Sequence, residues 1–361
     1  MKKYSYSCSI FILIMLFVLI EEIGGVERIP YSKGKETYVS EVLIRFTPGR
    51  WNRRDDQPGP YQVSFKEENV LSGPNSLAID RRGNIYILDT GNCRILKYDS
   101  EGKFLRSIVI DAGKGRSATD FCVGKDGDIF VLEPNPEISQ YLDYLDIHNS
   151  QCGKIPYEIR HYDHQGKYIS KACFPFTKEW IKETGIFPGK IYIDNAGNLY
   201  LGSHKNVCRI GLQAGKTDLF EPKEIMNGLP FTDDSTTSFY FAGPKSDKST
   251  FVVQKMNQKG EVIVNLSIVK SEDMDDIEFL GEDRDGYIYL LLTRHEWVGA
   301  GGYFKELQKV DRNGNQIVII QNFPLSTFYD ATRNLTVDTK GNIYFFSGSK
   351  EEARLIKWHK H

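Results

Sequence analysis

The chain has 361 residues, a formal net charge of −2 at pH 7, and a composition that is 40% hydrophobic and 12% aromatic. The near-neutral balance, with no Lys/Arg cluster, argues against nucleic acid as a partner, because phosphate binding calls for a basic surface. No Gly-x-Ser-x-Gly elbow, His-Glu-x-x-His pair or phosphate-cradling loop occurs, which removes the sequence basis for those hydrolase, zincin and nucleotide sites.

Residues 1–25 read as an export signal or an N-terminal membrane anchor. Met1-Lys2-Lys3 is the basic end and Ile10 to Ile20 the apolar stretch, short against the roughly 20 residues that cross a bilayer. Glu21-Glu22 follows at once, so cleavage near Gly24 or Gly25 and an uncleaved anchor both stay open. Either way the chain is expected outside the cytoplasm, periplasmic or secreted, touching the membrane only through this segment. Residues 26–60 mix Pro48, Pro58 and Pro60 with Arg50, Arg53 and Arg54 and read as an extended arm. The cysteines beyond it (Cys93, Cys122, Cys152, Cys173 and Cys208) lack metal-type spacing and read as small buried side chains.

Residues 61–361 form one domain, built on a recurring phrase: an acid, two turn residues, a glycine, then a mostly Asn or Asp position, an apolar residue and an aromatic. It reads Asp80-Arg81-Arg82-Gly83-Asn84-Ile85-Tyr86 and returns as Asp194 to Tyr200, Asp283 to Tyr289 and Asp338 to Tyr344. Gly124 to Phe130 has lost only the leading acid. Apolar alternation flanks each copy, as in Leu77-Ala78-Ile79 and Ile85-Tyr86-Ile87-Leu88, the period of paired strands. The leading Asp is placed to accept a hydrogen bond from the backbone two residues on, and the glycine closes the turn. A looser turn follows at Asp99 to Lys103, Asp163 to Lys167, Asn257 to Glu261 and Asp311 to Asn315. Each unit is therefore four antiparallel strands, a to d.

The interval from Gly83 to Gly127 is about 44 residues, the length of a propeller blade. That from Gly197 to Gly286 is about twice as long, so a degenerate unit belongs inside it, and Asp234 to Tyr240 has the right spacing with Thr237 in place of glycine. The expected architecture is all-β: a six-bladed β-propeller of four-stranded antiparallel blades. Its last unit ends at His361 without a strand d. An N-terminal strand is expected to complete it and close the ring; Tyr61–Phe65 is favoured and Tyr38–Phe46 is the rival.

These residues resemble NHL repeats. The stretch Gly73-Pro74-Asn75-Ser76-Leu77-Ala78-Ile79-Asp80 through Asp89-Thr90-Gly91-Asn92-Cys93-Arg94-Ile95 carries nearly the whole family repeat, and later units keep mainly the first hairpin. The resemblance implies a six-bladed propeller related to gluconolactonase-like and amidating-lyase-like enzymes. Those enzymes hold a divalent ion, Ca or Zn, in the central channel through side chains at the inner-strand ends. The positions here, Asn75, Asp120, Lys190, Glu278 and Asn334, are a mixed set, and Lys190 would repel a cation.

In a propeller the b–c and d–a connections share one face. Blades two and five carry long b–c insertions, Glu133 to Pro156 and His295 to Tyr303, and long loops on a rigid frame are where binding groups concentrate. The candidate ligand-binding residues on that face are Asp89, Arg94, Glu133, Tyr141, Tyr144, His148, His204, Arg294, His295 and Trp297. The bland reading of Asp89, Asn92 and Arg94 is a tie for the b–c turn. His204 and His295 lack a third metal ligand, so no metal site is assigned, and His161 and His164 read as surface groups. The sequence thus points to a monomeric, exported binding or scaffolding module for a protein, peptide or glycan. The alternative is a metal-dependent lyase or lactonase at the channel mouth.

Overall fold

The computed structural model describes residues 31–46, 56, 61–65, 68–72, 74, 76–110, 118–134, 154–177, 189–194, 196–202, 206–210, 225–227, 229–232, 237–244, 250–257, 259, 261–295, 303–323, 334–348 and 353–361. Its strands form six blades in ring order. Blade one runs Ser76–Ile79, Ile85–Asp89, Arg94–Tyr98 and Phe104–Val109. Blade two spans Asp120–Val123 to Tyr168–Thr177, and blade three Lys190–Ile193 to Ile225–Asn227. Blade four spans Leu229–Thr232 to Val262–Val269, and blade five Met274–Glu282 to Gln316–Phe323. Within each, strands pair in the order a-b-c-d. The degenerate unit is present where spacing placed it: Leu229–Thr232 pairs with Thr237–Pro244.

Closure corrects one expectation. Tyr38–Phe46, not Tyr61–Phe65, is the fourth strand of blade six, pairing antiparallel with Ala353–Lys360 from Tyr38↔Lys360 to Phe46↔Ala353. Tyr61–Phe65 instead forms a separate hairpin with Glu68–Ser72. A hairpin partner seven residues away in sequence costs far less loop entropy than one at the other end of the chain, which the alternation of a single strand does not reveal. A second departure is that Tyr31–Gly34 adds a fifth strand to the outer edge of blade five. The stretch read as an extended arm thus supplies strands to two adjacent blades.

The recurring phrase is a hydrogen-bonded unit. Asp80 Oδ1 accepts from the backbone N–H of Arg82 and Asn84, both at 2.9 Å. Asp80 Oδ2 accepts from Asn84 Nδ2 at 2.8 Å and from the Tyr86 hydroxyl at 3.1 Å. One carboxylate therefore fixes turn, Asn and aromatic together, which explains why the three recur together. Asp194, Asp283 and Asp338 hold Tyr200, Tyr289 and Tyr344 in the same way. Where blade two has Gly124 for the acid it has Phe130 for Tyr: without the carboxylate a buried hydroxyl would lose its acceptor. Phe130 instead stacks on His161, centroids 4.3 Å apart, and His161 Nε2 is 3.1 Å from Asp128 Oδ2. His161 is thus a packed group, not a solvated one.

The core lies between neighbouring blades. Leu88, Ile95, Phe121 and Val131 pack together between blades one and two, and Tyr344, Phe346, Leu77 and Ile87 between blades six and one. Tyr240 and Phe279 stack between blades four and five at 3.9 Å. Adjacent blades are thereby held in fixed register around the axis, which fixes what their strand ends can reach.

Candidate functional site

The b–c turn of blade one is a short 3-10 turn, Thr90–Asn92, followed by Cys93 in a left-handed conformation (φ 52°). Asp89, fully buried, accepts from Asn92 Nδ2 at 2.9 Å and from Arg94 Nε at 2.8 Å. Thr90 Oγ1 donates to Ala118 O of the next blade at 3.2 Å. Asp89 and Arg94 are therefore turned onto their own connection. Burial raises the Cys93 thiol pKa, and the nearby Glu133 and Asp89 charges add to the shift.

Glu133, at the end of strand b in blade two, is also fully buried, and Arg160 Nε lies 3.3 Å from its Oε2. Arg160 donates in addition to Glu158 Oε1 at 2.8 Å, and Lys171 Nζ is 3.4 Å from Glu158 Oε2. Burial works against the Arg160 charge, but Glu133 and Glu158 outweigh it and hold its pKa above the ordinary arginine value. This is an internal ion cluster between strands b and c.

Blade five presents its groups differently. Arg294 reaches from strand b to the incoming d–a connection, donating to Ser271 Oγ at 3.0 Å and Asp273 Oδ2 at 2.9 Å. Its other arm donates to buried Glu306 at 3.1 Å, which also accepts from Gln308 and Gln321, each at 2.6 Å. Burial disfavours the guanidinium charge, yet Glu306 and Asp273 raise its pKa above the usual range. The Ser271 hydroxyl and Arg294 in turn hold Asp273 below the usual carboxylate range against its own desolvation. His295 Nε2 is 2.7 Å from Asp275 Oδ2, with the side chains 33% and 35% exposed. Of the candidate residues placed, this pair faces solvent. Its carboxylate partner was not singled out from sequence, although the run Ser271-Glu272-Asp273-Met274-Asp275-Asp276 marks the end of the connection and the start of strand a as strongly acidic.

Tyr141, Tyr144, His148, His204 and Trp297 lie outside the described residues, as do the connections 135–153 and 296–302 to which most of them belong. Asp89 and Glu133 stand on adjacent blades one and two, whereas Arg294 and His295 are on blade five, so the placed residues form two groups rather than one ring. Among the described residues no cluster of three or more His, Cys, Asp or Glu is arranged to hold a metal ion.

The axial cavity has a volume of about 270 Å³ and is lined by inner strands, with Arg81, Lys125 and Thr339 of the a–b hairpins at one end. At the other, Lys190 Nζ of blade three donates to Glu278 Oε1 of blade five at 2.9 Å. The residue read as repelling a cation is thus half of an ion pair spanning two blades. At the same level Asp120, fully buried, accepts from Ser76 Oγ at 2.5 Å and Ile191 N at 3.0 Å, tying blades one, two and three. Asn334 lies at the equivalent place in blade six, its carbonyl accepting from Phe346 N at 2.8 Å. Asn75 is outside the described residues.

The family model described as NHL repeat matches residues 71–98, the first three strands of blade one. The chain is a six-bladed β-propeller carrying an NHL repeat. No curated protein matches its sequence. Among solved structures, a protein of unknown function from Bacteroides caccae is 16% identical, covering 80% of this chain and 96% of its own, with a TM-score of 0.41. Virginiamycin B lyase from Staphylococcus aureus is 10% identical over 89% of this chain and 99% of its own, at 0.41. A luciferin-regenerating enzyme is 12% identical over 83% and 95%, again at 0.41. Likeness at this level says nothing of activity. No helix among the described residues is long and apolar enough to cross a membrane.

Proposed function

We propose that the chain is an exported binding or scaffolding module, holding a protein, peptide or glycan on the face that bears the b–c connections. The observation that carries this reading is the platform on blade five. Arg294 is clamped by Asp273 and Glu306, and beside it the one-third-exposed His295–Asp275 pair stands where the 296–302 connection begins. Pre-paired side chains of this kind offer fixed donors and acceptors at little ordering cost, which suits recognition. A metal-dependent lyase or lactonase draws less support, because the inner-strand residues that would serve it are engaged: Asp120 with Ser76 and Ile191, Glu278 with Lys190.

The test begins with the purified chain on an immobilised glycan array and against a displayed random-peptide library. The selected ligand is then titrated into His295→Ala, and into a deletion of residues 136–152. A loss of about tenfold or more in affinity, with the melting temperature kept, supports the reading. Unchanged affinity in both variants moves the site off this face. Metal content and melting with and without chelator run alongside: stoichiometric metal whose removal lowers the melting temperature would favour the enzyme instead.

A further inference from the structure

Among the described residues the outer strand of each blade has no further strand paired to it, and proteins guard such edges with charge, proline or brevity. Five blades here do so. Blade one ends in Phe104–Val109 with Arg106, and blade two in Tyr168–Thr177 with Lys171 and Pro175. Blade three ends in the three-residue Ile225–Asn227. Blade five is covered by the four-residue Tyr31–Gly34 with Lys33. Blade six ends in Tyr38–Phe46, which carries Glu41 and Arg45. Blade four ends in Val262–Val269, VIVNLSIV: eight residues without a charge, a proline or a glycine, irregular only beside the c–d turn, where Ile263 falls between the paired Val262 and Val264 as Leu105 and Ile169 do in blades one and two.

That strand also presents apolar side chains to water. Val262 is 50% exposed, Ile263 58% and Val269 80%. Leu266 packs inward on the core between blades four and five, with Val264 and Ile268 against the same cluster, so Ile263, Asn265, Ser267 and Val269 form the outward row. We propose that this edge pairs with the same edge of a second copy, joining two four-stranded blades into one continuous antiparallel sheet.

Self-complementarity fixes the register. Antiparallel strands related by a two-fold axis keep their faces, so the axis passes through a residue that meets its own counterpart. An axis at Leu266 sets Ile263 opposite Val269 of the second copy, twice, with Asn265 opposite Ser267 between them. An axis at Asn265 would set Ile263 against Ser267 and leave Val269 facing Glu261. The first arrangement buries the two most exposed apolar side chains of the strand on each other and pairs polar with polar. Such a dimer replaces the monomer expected from the sequence.

Light scattering and sedimentation velocity on the purified chain across a concentration series should give a dimer mass. Val269→Lys, a substitution at an exposed site, should raise the dissociation constant by about tenfold or more without lowering the melting temperature. Leu105→Lys on the guarded edge of blade one should leave the dimer intact. For the register, an Ile263→Cys, Val269→Cys double variant should cross-link between copies on oxidation, with the linkage mapped by peptide mass spectrometry, while neither single variant does so. A monomer at every concentration up to the solubility limit overturns the proposal. So does a dimer indifferent to Val269→Lys, or single variants that cross-link as well as the double.

Discussion

Replacing Glu36 by Gln tests how the ring is held shut. Glu36 lies between the two N-terminal strands, and its Oε2 accepts from Lys309 Nζ of blade five at 2.8 Å while Oε1 accepts from Lys360 of blade six at 2.8 Å. The two contacts are unequal. Lys309 is only 5% exposed, so losing its partner resembles breaking a buried ion pair, about 3–5 kcal/mol. Two features soften that loss: Asp283 Oδ2 remains 3.6 Å from Lys309 Nζ, and the Tyr287 ring lies 4.3 Å beneath it. A net cost of about 2 kcal/mol follows, or a fall of about 3 °C in melting temperature for a domain of this size. Lys360 is 61% exposed, so Lys360→Ala should leave the midpoint unchanged. The pH dependence supplies a second check. Burial raises the Glu36 pKa, but the hydrogen bonds and charges of Lys309 and Lys360 outweigh it and set the folded value below the ordinary one. The carboxylate's contribution is therefore complete above its unfolded pKa of about 4.3 and disappears as pH falls through the folded value. Thermal melts from pH 7 down to about pH 3 should show the Gln penalty shrinking toward zero. A variant melting with the wild type at pH 7, or a penalty that persists in acid, refutes the argument.

Three further outcomes follow from the turns and the axial ring. Tyr200→Phe removes a buried hydroxyl that donates to Asp194 at 2.8 Å and should cost about 1 kcal/mol in urea denaturation. Gly197 and Gly341 share a positive φ, 82° and 80°, but a Cβ at 197 meets nothing within 4 Å, whereas one at 341 collides with the Tyr289 hydroxyl. Gly197→Ala should therefore cost about 1–2 kcal/mol from backbone strain alone, and Gly341→Ala measurably more in the same assay. Asp120→Ala strands the Ser76 hydroxyl and the Ile191 N–H at the junction of three blades, so a loss of about 3 kcal/mol is expected.

How much of this was legible in the sequence depended on whether the signal was local. Asp80, Gly83, Asn84 and Tyr86 sit within seven residues and bond to one another, so the turn, the strand pair and the blade count could be read from one phrase. Even the degenerate blade four kept its spacing. Ring closure was not local: Tyr61–Phe65 and Tyr38–Phe46 both alternate, and nothing within either strand says that the first folds back on Glu68–Ser72 while the second crosses to Ala353–Lys360. Glu36 and Lys309 are likewise too far apart in sequence for either to announce the other.

The candidate site shows the same division with a functional consequence. A charged residue at a strand end reads from sequence as a group available to a ligand, because its exposure and partners cannot be seen. Asp89 and Glu133 have the residue types of a binding ring, yet the first is consumed by Asn92 and Arg94 and the second is buried beside Arg160. The His295–Asp275 pair has an equally ordinary sequence signature, but its partner is the irregularly paired residue at the start of strand a in the same blade, and both side chains keep a third of their surface in water. Charge alone does not separate these cases; solvent access does. A ligand approaching the b–c face would thus meet fixed internal salt bridges over blades one and two, and displacing them would leave buried charge unpaired. Over blade five it would meet a pair that can exchange water for a new partner at small cost. That difference in desolvation is why the binding reading rests on blade five.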